Sequence, residues 1–236
     1  MLATKFPYLK IVLPTAPTQR VTMNMGMAMP SWYDITGLDE RSNEHCPGIH
    51  ESRKRIEDIL ETEHTTHQLP YRRMLLLGFS QGGALSLFTG LQLTQQLAGI
   101  VCLSAYLPAA AQCAMTQPNT PMLHCHGTAD PLVTFAVAEK TEAILLQKGA
   151  TAYELKSYAG LAHTVSMTEL ADVQAFLSVV LPPDDTCKIH TKAASDMSVK
   201  ELREAIRQAG LGQKAVGLME KQEFVKLLQE YQDGKL

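Results

Sequence analysis

The chain has 236 residues, 45% of them hydrophobic, a formal charge of −3 and a pI near 6.2. That is enough apolar material for one α/β domain with a sizeable core and a small appendage, without the basic excess of a dedicated nucleic-acid binder. No window approaches the ~20 uninterrupted apolar residues of a membrane span, and Met1–Pro7 lacks the apolar run of a signal peptide. Five cysteines form no secreted disulfide framework, so a reducing cytoplasmic location is expected.

Along the chain, Lys10-Ile11-Val12-Leu13-Pro14 reads as a short buried strand stopped by proline. Residues 15–48 read as loop-rich and hold the only tryptophan, Trp32. Ile49, Ile56, Ile59 and Leu60 mark one face of a helix across a charged segment. The apolar run Met74–Leu77 reads as a strand and leads into a helix, apolar nearly all round and hence buried, that reaches about Gln92. Strands follow at Gly99–Leu103 and Pro121–His126. A helix spans Ala138–Gln147, and Ala152–Tyr158 alternates like a strand near the sheet edge. Leu170, Val173, Phe176, Leu177, Val180 and Leu181 repeat at helical spacing until Pro182-Pro183 ends the compact part. Alternating strands and helices predict a doubly wound, mostly parallel sheet, with chemistry in the loops past the strands' carboxyl ends.

One such loop is Gly78-Phe79-Ser80-Gln81-Gly82, between the Met74–Leu77 strand and its helix. Strand, Gly-x-Ser-x-Gly, helix is the nucleophile elbow of α/β-hydrolases, with the serine exposed at a helix N-terminus. A serine hydroxyl needs a base, and the base needs a carboxylate to orient it. Asp130, in His126-Gly127-Thr128-Ala129-Asp130-Pro131, and His163, in Gly160-Leu161-Ala162-His163, follow later strands in the required order. Each has a plainer reading by itself, Asp130 as a turn residue and His163 as a solvated one. The ordered set of three favours a triad. His124 and His126 read as strand and strand-end packing residues. His45, Cys46 and His50 form too short a cluster for a metal site, and neither metal nor cofactor is expected.

These residues, together with Pro14-Thr15-Ala16-Pro17, Met29-Pro30-Ser31-Trp32-Tyr33-Asp34 and Asp130-Pro131-Leu132-Val133, resemble the acyl-protein thioesterases, also called lysophospholipase-like carboxylesterases. The resemblance covers about residues 8–183. It implies a cytosolic serine hydrolase that removes long acyl chains, notably palmitate, from protein cysteines, with lysophospholipids and simple esters as further substrates. It implies Ser80 as nucleophile, His163 as general base and then acid, Asp130 as its orienting carboxylate and the Gln81 backbone N–H as an oxyanion donor. Leu132 and Val133 become acyl-channel lining, and Trp32 a residue of the rim or core. Membrane contact is expected to be transient and led by the substrate.

One departure stands out. The family carries, upstream of the strand at residues 10–14, another strand ending in a His-Gly-Leu-Gly-Asp-like loop that supplies a second oxyanion donor. No such segment is present in this sequence. In the family's order that strand lies between the Ile11–Leu13 and Met74–Leu77 strands. Two explanations are open: a sequence shortened at its N-terminus, or a natural variant that is weakly active or an inactive binding scaffold.

After Pro183 the texture changes. The expected division is a hydrolase domain over 1–183, a linker over 184–197 and a helical module over 198–236. Ser198-Val199-Lys200-Glu201 fits a capping box, Leu202 and Ile206 share a face with Val199, Gly210 is a stop, and a second helix carries Phe224, Val225 and Leu228. The module resembles SAP-type helix–loop–helix units, closest to the C-terminal module of mesencephalic-astrocyte-derived neurotrophic factors. It has Ala215-Val216-Gly217-Leu218 where that module carries Cys-x-x-Cys, so no redox role is implied. From Cys187 onward there are 9 Lys+Arg against 7 Asp+Glu, a balance that favours protein docking or simple capping over nucleic acid.

Overall fold

The computed structural model describes residues 5–6, 8–37, 44–184, 186–187 and 193–232. The start Met1–Thr4, Pro7, residues 38–43, Asp185 and 188–192 of the expected linker, and 233–236 of the expected module lie outside them. The chain divides into two compact units, residues 1–188 and 189–236.

The first unit is built on a four-stranded parallel sheet. A hairpin of β1 (Thr18–Val21) and β2 (Met27–Pro30) precedes it, and α1 (Ile49–His67) follows the hairpin. Then come β3 (Leu75–Phe79), α2 (Gln81–Gly90), β4 (Gly99–Leu103), β5 (Met122–Gly127), α3 (Phe135–Gln147), β6 (Tyr153–Tyr158) and α4 (Met167–Val180). The sheet order is β3-β4-β5-β6. β4 is buried along its whole length, and its side chains alternate between faces. Ile100 and Cys102 join the larger core with Ile56, Leu60, Leu87 and Leu145 of α1, α2 and α3. Val101 and Leu103 point the other way, against Val173 and Leu177 of α4. The sheet is therefore covered on both faces, as an apolar parallel sheet requires. Among the described residues no helix is long and apolar enough to cross a membrane.

One expectation needs correction. Residues 10–14 are not a buried strand. Among the described residues they pair with no strand, and Ile11, Val12 and Leu13 are 49%, 44% and 86% exposed. A β-branched apolar run makes a segment compatible with a strand, but a ladder needs a neighbour's N–H and C=O groups. The described sheet ends at β3 on one side, and no ladder joins β3 to residues 10–14. Residues 15–48, read as loop-rich, also hold the β1–β2 hairpin. Its chain reverses at Met25 and Gly26, both with positive φ (54° and 70°).

The second unit holds α5 (Val199–Gln208) and α6 (Lys221–Gln232). α5 starts with the expected capping box between Ser198 and Glu201, and Gly210 follows its end at φ 74°. Leu202, Ile206, Phe224 and Leu228 form its core with Ala194 and Leu211, while the Arg203 guanidinium lies over the Phe224 ring.

Candidate active site

Ser80 sits between β3 and α2 with φ 52° and ψ −122°, a conformation that costs an L-residue energy. The surrounding packing enforces it. The Ser80 N–H donates to the Leu103 carbonyl (2.8 Å), and its own carbonyl accepts from Ala84 (3.0 Å). A Cβ on Gly78 would sit 2.2 Å from the Gly82 carbonyl carbon, and one on Gly83 would sit 2.7 Å from the Ala105 Cβ. Gly82, the last residue of the motif, has open space around its missing Cβ. The crowding that makes glycine necessary therefore falls on Gly78 and Gly83.

Asp130 and His163 come from the loops after β5 and β6, and backbone bonds sew those loops together. Thr128 N–H donates to Tyr158 O (2.9 Å), Ala129 N–H to Leu161 O (3.1 Å) and Gly160 N–H to Thr128 Oγ1 (3.0 Å). A side chain at Gly127 would meet the Leu161 carbonyl at 2.1 Å, so the loops close only over a glycine. The result is a continuous chain: His163 Nδ1 lies 2.7 Å from Asp130 Oδ2, and His163 Nε2 lies 3.0 Å from Ser80 Oγ. A carboxylate only accepts, so Nδ1 carries the proton and Nε2 offers its lone pair to the serine hydroxyl. The Phe79 ring packs 4.8 Å from the imidazole.

Asp130 is 5% exposed, and its other oxygen, Oδ1, accepts from the N–H groups of Leu132 and Val133, both at 2.9 Å. Burial pushes its carboxyl pKa up. The His163 bond and the two backbone N–H groups outweigh that, leaving it below the ordinary range. Leu132 is 52% exposed and Val133 only 5%. The Leu132 side chain is thus open to solvent beside the site, whereas Val133 belongs to the larger core.

Gln81 opens α2, and N–H groups of a first helical turn have no intrahelical acceptor. Its side chain does what the sequence did not disclose. It accepts from the Trp32 N–H (2.9 Å) and donates to Ser31 Oγ and the Tyr33 carbonyl (both 2.9 Å). The segment after the hairpin is thereby tied to the residue next to Ser80. Trp32 is partly buried against the larger core, and its carbonyl accepts from the Ser52 hydroxyl. The signal was present in the Pro-Ser-Trp block, but a glutamine at the variable position of Gly-x-Ser-x-Gly has no visible partner until the fold closes. His124 and His126 are fully buried, in keeping with their reading as packing residues.

A parallel sheet covered on both faces, with a strained serine at a strand–helix turn and aspartate and histidine past later strands, defines an α/β-hydrolase. The sequence is 36% identical over 190 residues to acyl-protein thioesterase 1 of Mycosarcoma maydis, covering 74% of this chain and 79% of that protein. It is 37% identical over 186 residues to acyl-protein thioesterase 1 of Neurospora crassa, covering 73% and 74%. The fold is similar to the crystal structure of Arabidopsis thaliana SOBER1, with a TM-score of 0.63, 30% identity and coverage of 72% of this chain and 83% of that one. The description Phospholipase/Carboxylesterase matches residues 1–181, and the chain belongs to that family. It is a serine hydrolase of the thioesterase–carboxylesterase class.

Proposed function

We propose that the chain hydrolyses long-chain acyl thioesters, with S-acylated proteins as the main substrates and lysophospholipids or simple esters as secondary ones. The observation that carries this is the unbroken Ser80–His163–Asp130 chain at 3.0 and 2.7 Å. Ser80 Oγ attacks the acyl carbonyl as His163 Nε2 takes its proton. Asp130, held by two backbone N–H groups, steadies the imidazolium that forms. The Gln81 N–H donates to the oxyanion at the positive end of α2. The thiol leaves with the proton from His163, and water activated by the same nitrogen releases the acid from the acyl-enzyme.

Leu132, Val133 and Trp32 are proposed to shape the acyl site, Leu132 through its exposed side chain and the other two through the walls behind it. The substrates imply a cytoplasmic enzyme that touches membrane surfaces transiently. We assign residues 1–183 to the hydrolase, 184–197 to a linker and 198–236 to a SAP-like module that docks a protein partner. The test is turnover of a palmitoyl thioester by the full chain, with fluorophosphonate labelling alongside. Serine-dependent hydrolysis abolished in Ser80→Ala supports the reading, and a folded chain that neither labels nor hydrolyses overturns it.

A further inference from the structure

Beneath the triad lies a line of buried polar groups that the mechanism above does not use. His124 and His126 stand two residues apart on β5, so both face the same side of the sheet, and both are fully buried. His126 Nε2 lies 2.7 Å from the Val133 carbonyl, His126 Nδ1 lies 3.3 Å from His124 Nε2, and His124 Nδ1 lies 2.7 Å from the Tyr153 hydroxyl.

The direction of every bond follows from atoms that can play only one part. A carbonyl only accepts, so His126 Nε2 carries a proton and donates it. Burial drives both rings toward the neutral form, lowering His124 to about 3 and His126 in the same direction. A neutral ring has one N–H, so His126 Nδ1 is an acceptor and His124 Nε2 must donate to it. His124 Nδ1 is then an acceptor in turn, satisfied by the Tyr153 O–H. The far end of the line reaches the triad. Val133 donates its N–H to Asp130 Oδ1, and His126 Nε2 stands 3.6 Å from Asp130 Oδ2, the oxygen that holds His163. Val133 is therefore gripped at both ends, by Asp130 and by His126.

We propose that Tyr153, His124 and His126 form a one-way hydrogen-bond relay that holds the 130–133 loop, making His126 a positioning residue for Asp130. This rests on the hydrolase reading of Ser80, His163 and Asp130. The relay moves no proton in turnover. It fixes the tautomer and place of His126, which fixes Val133, which aims the carboxylate at His163.

The experiment compares His126→Leu with His126→Gln in the full chain, folding being checked by circular dichroism. Glutamine keeps an N–H donor at the reach of Nε2, and leucine keeps only bulk. Palmitoyl-thioester turnover in His126→Leu should fall in kcat by about 10- to 100-fold, the range that a small misplacement costs. KM should stay within about twofold, as for a loss felt only in the transition state. His126→Gln should recover most of kcat. The downfield proton on His163 Nδ1 should broaden in the leucine variant and return in the glutamine one. If leucine prevents folding, His126→Asn takes its place, since its amide is too short to reach the Val133 carbonyl. Full kcat in a folded leucine or asparagine variant overturns the positioning role. Heteronuclear NMR of the imidazole nitrogens tests the relay without any activity: both rings should be Nε2–H tautomers that do not titrate near neutrality. Finding the proton on Nδ1 of either ring overturns the relay. If the wild type shows neither labelling nor turnover, the hydrolase reading fails, while the tautomers still decide the relay.

Discussion

Ser80 at φ 52° is stable only because its neighbours leave the chain no other path. A methyl group at Gly78 would stand 2.2 Å from a backbone carbon with nowhere to move. Gly78→Ala is therefore expected to open the elbow and abolish fluorophosphonate labelling, whereas Gly82→Ala, which meets open space, should retain it; equal labelling in the two variants would refute this account. Asp130→Asn offers an N–H in place of an acceptor and invites the wrong His163 tautomer. By analogy with other serine triads it should lower kcat roughly 10,000-fold while folding persists. Steady-state kinetics beside a thermal melt would separate that outcome from simple unfolding. Gln81→Leu leaves the Trp32 N–H without its acceptor, while the Ser31 hydroxyl and the Tyr33 carbonyl lose the amide but keep their bond to each other. A cost of about 1–3 kcal/mol in denaturant stability is expected for leaving the Trp32 N–H unsatisfied.

At the scale of elements, caps and edges decide what periodicity leaves open. α4 begins at Ser166, which accepts from the Glu169 N–H while the Glu169 carboxylate accepts from Ser166 N–H. That reciprocal pair sets where the helix after the His163 loop starts. Ser166→Ala should cost about 1 kcal/mol in urea unfolding. A larger loss, on the order of 2–5 kcal/mol, is expected for Leu202→Ala in the core of the second unit. Hydrogen exchange should place that loss in residues 193–232. β3 shows the limits of a hydropathy reading. Its Leu77 and Phe79 are substantially exposed, because β3 is the edge of the described sheet, whereas β4, equally apolar, is buried throughout.

For the molecule as a whole, the buried titratable groups set a pH window for stability. His124 and His126 stay neutral in the fold, so below about pH 6.5 the unfolded chain binds protons that the folded chain does not. Stability then falls with pH by about 1.4 kcal/mol per unit for each such group. For His124 this continues down to its folded value of about 3. Asp130, held low, adds a loss of the same sign once the unfolded carboxylate begins to protonate. The buried thiols act at the other end. Burial raises Cys125 to about 12 and Cys46 and Cys113 to about 11, so the unfolded thiols ionise first and stability declines as pH rises past about 8.5. Chemical denaturation from acid to alkaline pH should show a plateau between roughly 6.5 and 8.5. A midpoint still rising below or above those bounds would contradict it.

The local code was legible wherever one short segment carries its own reason. Gly78 of the elbow, the Ser198 capping box and the helical spacing of Val173 and Leu177 each specify a conformation without reference to distant residues. The order of Ser80, Asp130 and His163 was legible too, because each follows a strand. Distance was not. Tertiary packing alone stitched the β5 and β6 loops over Gly127, drew Gln81 onto the Ser31–Tyr33 segment, and stacked Tyr153, His124 and His126 into one polar line. It also left residues 10–14 without a strand partner among the described residues, though their composition suits a sheet. Propensity and capping are properties of a few consecutive residues, whereas hydrogen-bond pairing needs a particular partner, and partners are chosen by how the whole chain closes.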